Sequence, residues 1–165
     1  MKNTLNKWHK ILLLAVCSLV AIAPAMAQDI NEEKEAKVEQ MLQNQNFVFK
    51  AQSASPMRGR TVQLTSDYDV VVSKDKVSTF LPYFGRAYSA QAYTGEGGIK
   101  ITTTEFDYDV ENKKKKRWNV IIEPKDESGV QQLLLSVSEN GYATLQVIST
   151  NRDAISFNGY ITQKG

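Results

Sequence analysis

The stretch Leu133-Leu134-Leu135-Ser136-Val137-Ser138-Glu139-Asn140-Gly141-Tyr142-Ala143-Thr144-Leu145-Gln146-Val147 decides the fold. Two strand-forming runs, Gln131 to Ser138 and Tyr142 to Ser149, stand on either side of Asn140-Gly141. A type I′ turn needs φ > 0 at both of its central residues, a conformation that asparagine tolerates and glycine adopts freely. The pair therefore predicts a two-residue turn between two antiparallel strands.

The same period of two extends outward in both directions. Toward the C-terminus a polar turn, Thr150 to Asp153, precedes a last strand over Ala154 to Thr162. Toward the N-terminus, beyond the polar turn Pro124 to Gly129, lie Trp118, Val120 and Ile122, then Phe106, Tyr108 and Val110, then Ile99, Ile101 and Thr103 behind the loop Gly95 to Gly98. Earlier still, Lys74-Asp75 turns the run Tyr68, Val70, Val72 back through Val77 and Thr79, and Val62 with Leu64, and Phe47, Phe49 and Ala51, continue the alternation. That makes about eight or nine short strands with hairpin-length connections. A parallel sheet needs crossovers of helix length, and none interrupts the pattern. The expected fold is mainly β, an antiparallel meander closing into a small lipocalin-like barrel, with a sandwich as the alternative. A barrel of this size is filled by side chains or holds one small ligand.

Ahead of the strands, Asp29 to about Gln45 reads as a short helix, with Asp29 as its cap, Glu32 three residues on and Glu33 and Glu35 near its positive end. Val38, Met41 and Leu42 form one narrow apolar stripe. Packing on a patch of the sheet is its ordinary role, and partner binding is the less favoured one.

Residues 1–27 carry the marks of a cleaved secretion signal. Lys2, Lys7 and Lys10 make a positive start, Ile11 to Ala23 is a short apolar run, Pro24 ends it, and Ala25-Met26-Ala27 is the small-x-small pattern of a cleavage site between Ala27 and Gln28. The predicted organisation is a signal over 1–27, a helix and lead-in over 28–45, and a β domain over 46–165. Export to the periplasm or cell envelope follows, with no transmembrane segment in the mature chain. Cys17 in Leu14-Ala15-Val16-Cys17 suggests lipoprotein anchoring, but Val16 stands where a small residue is wanted and the apolar run continues past it.

Cleavage changes the chemistry that remains. The three lysines leave, so the net charge of +2 becomes slightly negative, and nucleic acid is not expected as a partner. The only histidine, His9, and the only cysteine, Cys17, leave as well. Disulfides, zinc sites of the usual kind, cysteine nucleophiles and histidine-based triads are thereby excluded. No cofactor is expected.

Leu81-Pro82-Tyr83-Phe84-Gly85-Arg86-Ala87-Tyr88 is the most individual segment. Together with the strand Tyr68-Asp69-Val70, the hairpin Asn140-Gly141 and the turn Asn151-Arg152, it resembles a family of small exported bacterial proteins catalogued as domain of unknown function 4251. The likeness runs from about Phe47 to Ile161 and implies an exported β-rich domain without an assigned activity.

In that segment Pro82 removes a ladder donor, so a strand ends or a loop crosses there. Tyr83, Phe84, Arg86, Tyr88 and Tyr93 are the candidate ligand-binding residues, since tyrosine offers broad contact area with a polar tip and arginine stacks on rings or pairs with carboxylates. The ordinary alternative is that these rings plug one end of the core while Arg86 bonds loop carbonyls. Lys113 to Arg117 is a basic run that reads as a solvated hairpin tip offset by Asp107, Asp109 and Glu111. Asp107 and Asp109 alternate with apolar residues and read as a polar strand face, not as a calcium or acid/base pair. The expected function is a non-enzymatic binding or accessory domain of the envelope, for a small apolar ligand or an envelope protein. A carboxylate-based envelope hydrolase and a structural protein-interaction module are the alternatives.

Overall fold

A computed structural model describes residues 23–88, 98–113, 116–126 and 129–164. Cys17 with most of the expected signal, Tyr93, Gly95 to Gly97, and Lys114 with Lys115 lie outside the described residues. Among the described residues, one helix, α1 (Ala23–Gln43), precedes nine strands: β1 (Phe47–Pro56), β2 (Val62–Ser73), β3 (Lys76–Pro82), β4 (Gly98–Thr103), β5 (Phe106–Lys113), β6 (Arg117–Pro124), β7 (Val130–Ser138), β8 (Tyr142–Ser149) and β9 (Ile155–Gln163).

The strands form one sheet in the order β4-β3-β2-β1-β9-β8-β7-β6-β5, and all eight neighbouring pairs are antiparallel. Eight reversals separate β4 from β5, so the two edge strands run in the same direction. They are also consecutive in the chain, with only Thr104 and Glu105 between them. β4 and β5 are therefore two halves of one bent strand, the first paired with β3 and the second with β6. Counted so, the sheet has the even number of strands that an antiparallel ring requires. The pairing that leaves Lys100 passes Phe80, Asp69, Lys50 and Tyr160 to Tyr142. The adjoining track from Ala143 passes Val137 and Trp118 and arrives at Asn112 in the second half of the same bent strand. One circuit thus climbs about a dozen residues, the stagger of tilted barrel strands. The result is the nearly closed barrel expected from the strand pattern.

Alternation directs one face of each strand inward. Trp118, Val120 and Ile122 of β6, Leu133, Leu135 and Val137 of β7, and Leu145 and Val147 of β8 are buried with Phe47, Phe49 and Phe157. Each such side chain contributes roughly 1.5–3 kcal/mol by leaving water. These side chains belong to one contiguous hydrophobic cluster.

α1 covers one end of the barrel. Val38 and Leu42 join the core and Met41 packs against it, as the stripe suggested. The Tyr108 hydroxyl donates to the Leu42 carbonyl at 2.7 Å, and Lys116 pairs with Glu35 at 2.7 Å. The helix stops in a Schellman arrangement: Asn46 N–H bonds the Met41 carbonyl, Gln45 N–H bonds the Leu42 carbonyl, and Gln45 takes φ 52°. Its start differs from expectation. The helix begins at Ala23, six residues before Asp29, and Pro24 sits in the first turn, where a missing N–H costs little.

Two further local expectations are corrected. The β7–β8 turn is not type I′, because Gly141 has φ 83° and Asn140 is not among the residues with positive φ. Gly141 N–H bonds the Ser138 carbonyl at 2.9 Å, giving a three-residue loop that ends in a left-handed glycine. The Asn140 side chain instead accepts from Tyr142 N–H at 3.3 Å, and Ser138 Oγ lies 2.6 Å from Asn140 Oδ1. The Val62 and Tyr68 runs are one strand with a bulge: Ala51 pairs with Tyr68 but Ser53 with Gln63, so Leu64 to Asp67 face Gln52 alone.

Candidate functional site

At the end of the barrel opposite α1, the loop leaving β3 meets the turn between β8 and β9. Pro82 is the last residue of β3, and without an N–H it cannot extend the ladder. The chain then crosses to Asn151–Asp153. Ala87 and Arg152 form an isolated antiparallel bridge, Tyr88 N–H bonds the Asn151 carbonyl at 2.8 Å, and Asp153 N–H bonds the Arg86 carbonyl at 3.0 Å. The β6–β7 turn joins through Thr150 N–H, which bonds the Gly129 carbonyl at 2.9 Å.

Side chains lock this crossing. The Tyr83 hydroxyl lies 2.8 Å from the Arg86 carbonyl and 3.0 Å from the Asp153 carbonyl. The Arg152 guanidinium stacks 5.0 Å from the centre of the Tyr83 ring and reaches the Gly98 carbonyl at 3.3 Å. The Tyr88 hydroxyl donates to Asp153 Oδ1. Burial holds the Tyr83 phenol above its ordinary pKa, with Asp153 adding to the effect and Arg152 opposing it. For Tyr88 the hydrogen bond to Asp153 is the main cause of the rise, and Arg58 and Arg86 oppose it.

The expected site residues thus separate by role. Tyr83 is half-buried and structural. Phe84 and Tyr88 project outward, 43% and 67% exposed, and the Arg86 side chain is exposed while its carbonyl serves the crossing. Carbonyl bonding, expected of Arg86, is done by Arg152. Arg152, Asp153 and Arg58 were not singled out as site residues. Asn151-Arg152 did appear among the segments carrying the family likeness, and that co-occurrence with Tyr83 to Tyr88 was the one signal available.

The strand carboxylates singled out in the sequence are held apart in separate ion pairs. Asp69 pairs with Lys50 at 3.0 Å and Asp107 with Lys125 at 2.5 Å, on different strands. Two described lysines of the basic run are paired as well, Lys113 with Glu111 at 2.6 Å and Lys116 with Glu35 and Glu139. Among the described residues no three histidine, cysteine or acidic side chains gather as a metal site would require, and no helix is long and apolar enough to cross a membrane.

A family model described as "Domain of unknown function (DUF4251)" matches residues 29–161. Among solved structures, a crystal structure of a DUF4251 family protein from Bacteroides eggerthii superposes with a TM-score of 0.57 at 18% identity, covering 79% of this chain and 87% of that one. At that identity the likeness concerns the fold. No curated protein matches the chain.

Proposed function

The chain belongs to the DUF4251 family, a domain of unknown function, and from that starting point we propose that it is an exported, non-enzymatic accessory domain that contacts an envelope protein through the loop end of its barrel. The observation that carries this reading is the exposure of Phe84 and Tyr88 on a backbone fixed by Tyr83, Arg152 and Asp153. Large rings held rigidly at a surface lose little entropy when a partner covers them, and aromatic residues beside arginine are the usual anchors of protein interfaces. A small apolar ligand finds less support, because the inward-facing residues pack against one another in one contiguous cluster. The helix finds less support as a contact surface, since its apolar stripe is used on the core.

The test is made with the full chain in its native host. A photo-crosslinker in place of Tyr88 should join the protein to one envelope species, and one in place of the exposed Asp109 should not. The mature N-terminus should read Gln28. A chain retained in the cytoplasm with Met1 or Lys2 first, or equal crosslinking from both positions, would overturn the proposal.

A further inference from the structure

The outer wall of the barrel carries a second feature, a strand's length from the loop end. Cross-strand registers place Asn119, Ser136, Thr144 and Asn158 side by side on β6, β7, β8 and β9. All four are short and polar, and none belongs to the buried core. In the next row Tyr142 faces Tyr160, 62% and 39% exposed. Ser136, Thr144 and Asn158 of the short row, with Tyr142 beside them, line a depression of about 310 Å³, at the small end of ligand sites. Gln52 and Arg117 stand among its lining residues.

The polar groups are oriented. Thr144 Oγ1 donates to Asn158 Oδ1 at 2.9 Å, which occupies the amide oxygen and leaves the Asn158 NH₂ as a donor. Arg117 belongs to the basic run, but its environment differs from that of its neighbour. Lys116 is paired with Glu35 and Glu139, whereas no carboxylate lies within ion-pair distance of Arg117 among the described residues. One uncompensated guanidinium, an exposed tyrosine face and several hydroxyl and amide groups therefore share a single shallow trough.

We infer that this trough binds an acidic oligosaccharide. A sugar ring presents C–H groups to an aromatic face and hydroxyls to amides and hydroxyls, and a uronate carboxylate matches the fork of a guanidinium. The charge complementarity of Arg117 selects an acidic glycan over a neutral one, and the polar floor disfavours an apolar protein surface. The trough is independent of the loop-end reading, with which it shares no residue.

The test is a titration of the purified protein, followed by backbone amide NMR, with tetragalacturonate and with neutral maltotetraose at millimolar concentration. Tetragalacturonate should shift Tyr142, Thr144 and Asn158, and should leave Phe84 and Tyr88 unmoved. Arg117→Gln should weaken this binding about tenfold toward the maltotetraose level, and Tyr142→Ala by about tenfold or more, with both variants melting as the parent does. No shift at these amides, equal binding of the neutral sugar, or shifts confined to the loop end would overturn the inference. So would shifts that depend on protein concentration without sugar, which would make the trough an interface between copies of the chain.

Discussion

Replacing Gly159 by alanine strikes the seam of the barrel. The chain forms two meanders, β1 to β4 and β5 to β9, and the β1–β9 ladder is what joins them side by side. Gly159 pairs with Ala51 at the point where β1 bulges at Gln52. A Cβ there would lie far inside contact distance of the Lys50 carbonyl oxygen, and 2.9 Å from its carbon and 3.2 Å from Ala51 Cα. Those atoms are backbone, so no rotamer change relieves the clash, and the strands must part by roughly 1 Å at a cost of about 1–3 kcal/mol. Two ladder hydrogen bonds next to the seam weaken as well, at about 1 kcal/mol each. Stiffening the unfolded chain returns about 0.4–1 kcal/mol, leaving a net loss near 3 kcal/mol. For a domain of this size that corresponds to a fall in Tm of about 10 °C. Thermal unfolding followed by circular dichroism measures it, with Tyr142→Ala on the outer face as the control that should melt within about 2 °C of the parent, as surface changes do. A Gly159→Ala protein whose Tm stays within about 3 °C of the parent would show that the seam has slack.

Thr79 is 5% exposed and its hydroxyl has no hydrogen-bond partner, so Thr79→Val should raise stability by about 1 kcal/mol. Urea unfolding would register this as a higher midpoint at unchanged slope, and a lower midpoint would mean that the hydroxyl is satisfied. Burial holds the Tyr108 phenol well above its ordinary value of 10.0, so its contribution to stability is complete below pH 10 and is lost as the pH rises through and beyond that value, where only the unfolded chain ionises readily. Tyr108→Phe should therefore be less stable than the parent at neutral pH, having lost the bond to Leu42, and should lose less of its Tm between pH 9 and about pH 11. Parallel melting curves for the two proteins across that range would count against a buried phenol.

Local patterns in the sequence carried much of the architecture. Alternation in Trp118, Val120 and Ile122 and in Leu133 to Val137 marks the inward faces because successive strand side chains point to opposite sides. The stripe Val38, Met41 and Leu42 marks the helix face for the corresponding reason in a helix. Turn position was readable at Asn140-Gly141, but turn type was not, since glycine serves a left-handed third position as readily as a type I′ centre. The helix start was misplaced because a capping signal at Asp29 says nothing about whether helical residues precede it.

The candidate surface was legible only in part. Tyr83, Phe84, Arg86 and Tyr88 stand out as an irregular aromatic segment, but composition alone does not separate the ring that is locked from those that project. The Arg152 turn holds Tyr83 within the crossing through its ring and hydroxyl, whereas Tyr88 is anchored at its hydroxyl by Asp153 and keeps its ring exposed, contacts that span 65 to 70 residues of chain. The sequence by itself determined which faces turn inward, where the chain reverses, and, once the expected signal is removed, that thiol and imidazole chemistry is missing. Only the tertiary structure decided that β4 and β5 are one bent strand, that Gly159 meets the bulge at Gln52, and that the Tyr83 loop docks on the Arg152 turn. The physical reason is range. Periodicity and turn preference act over a few residues, whereas closure and docking depend on the stagger accumulated around the whole ring, which no short segment encodes.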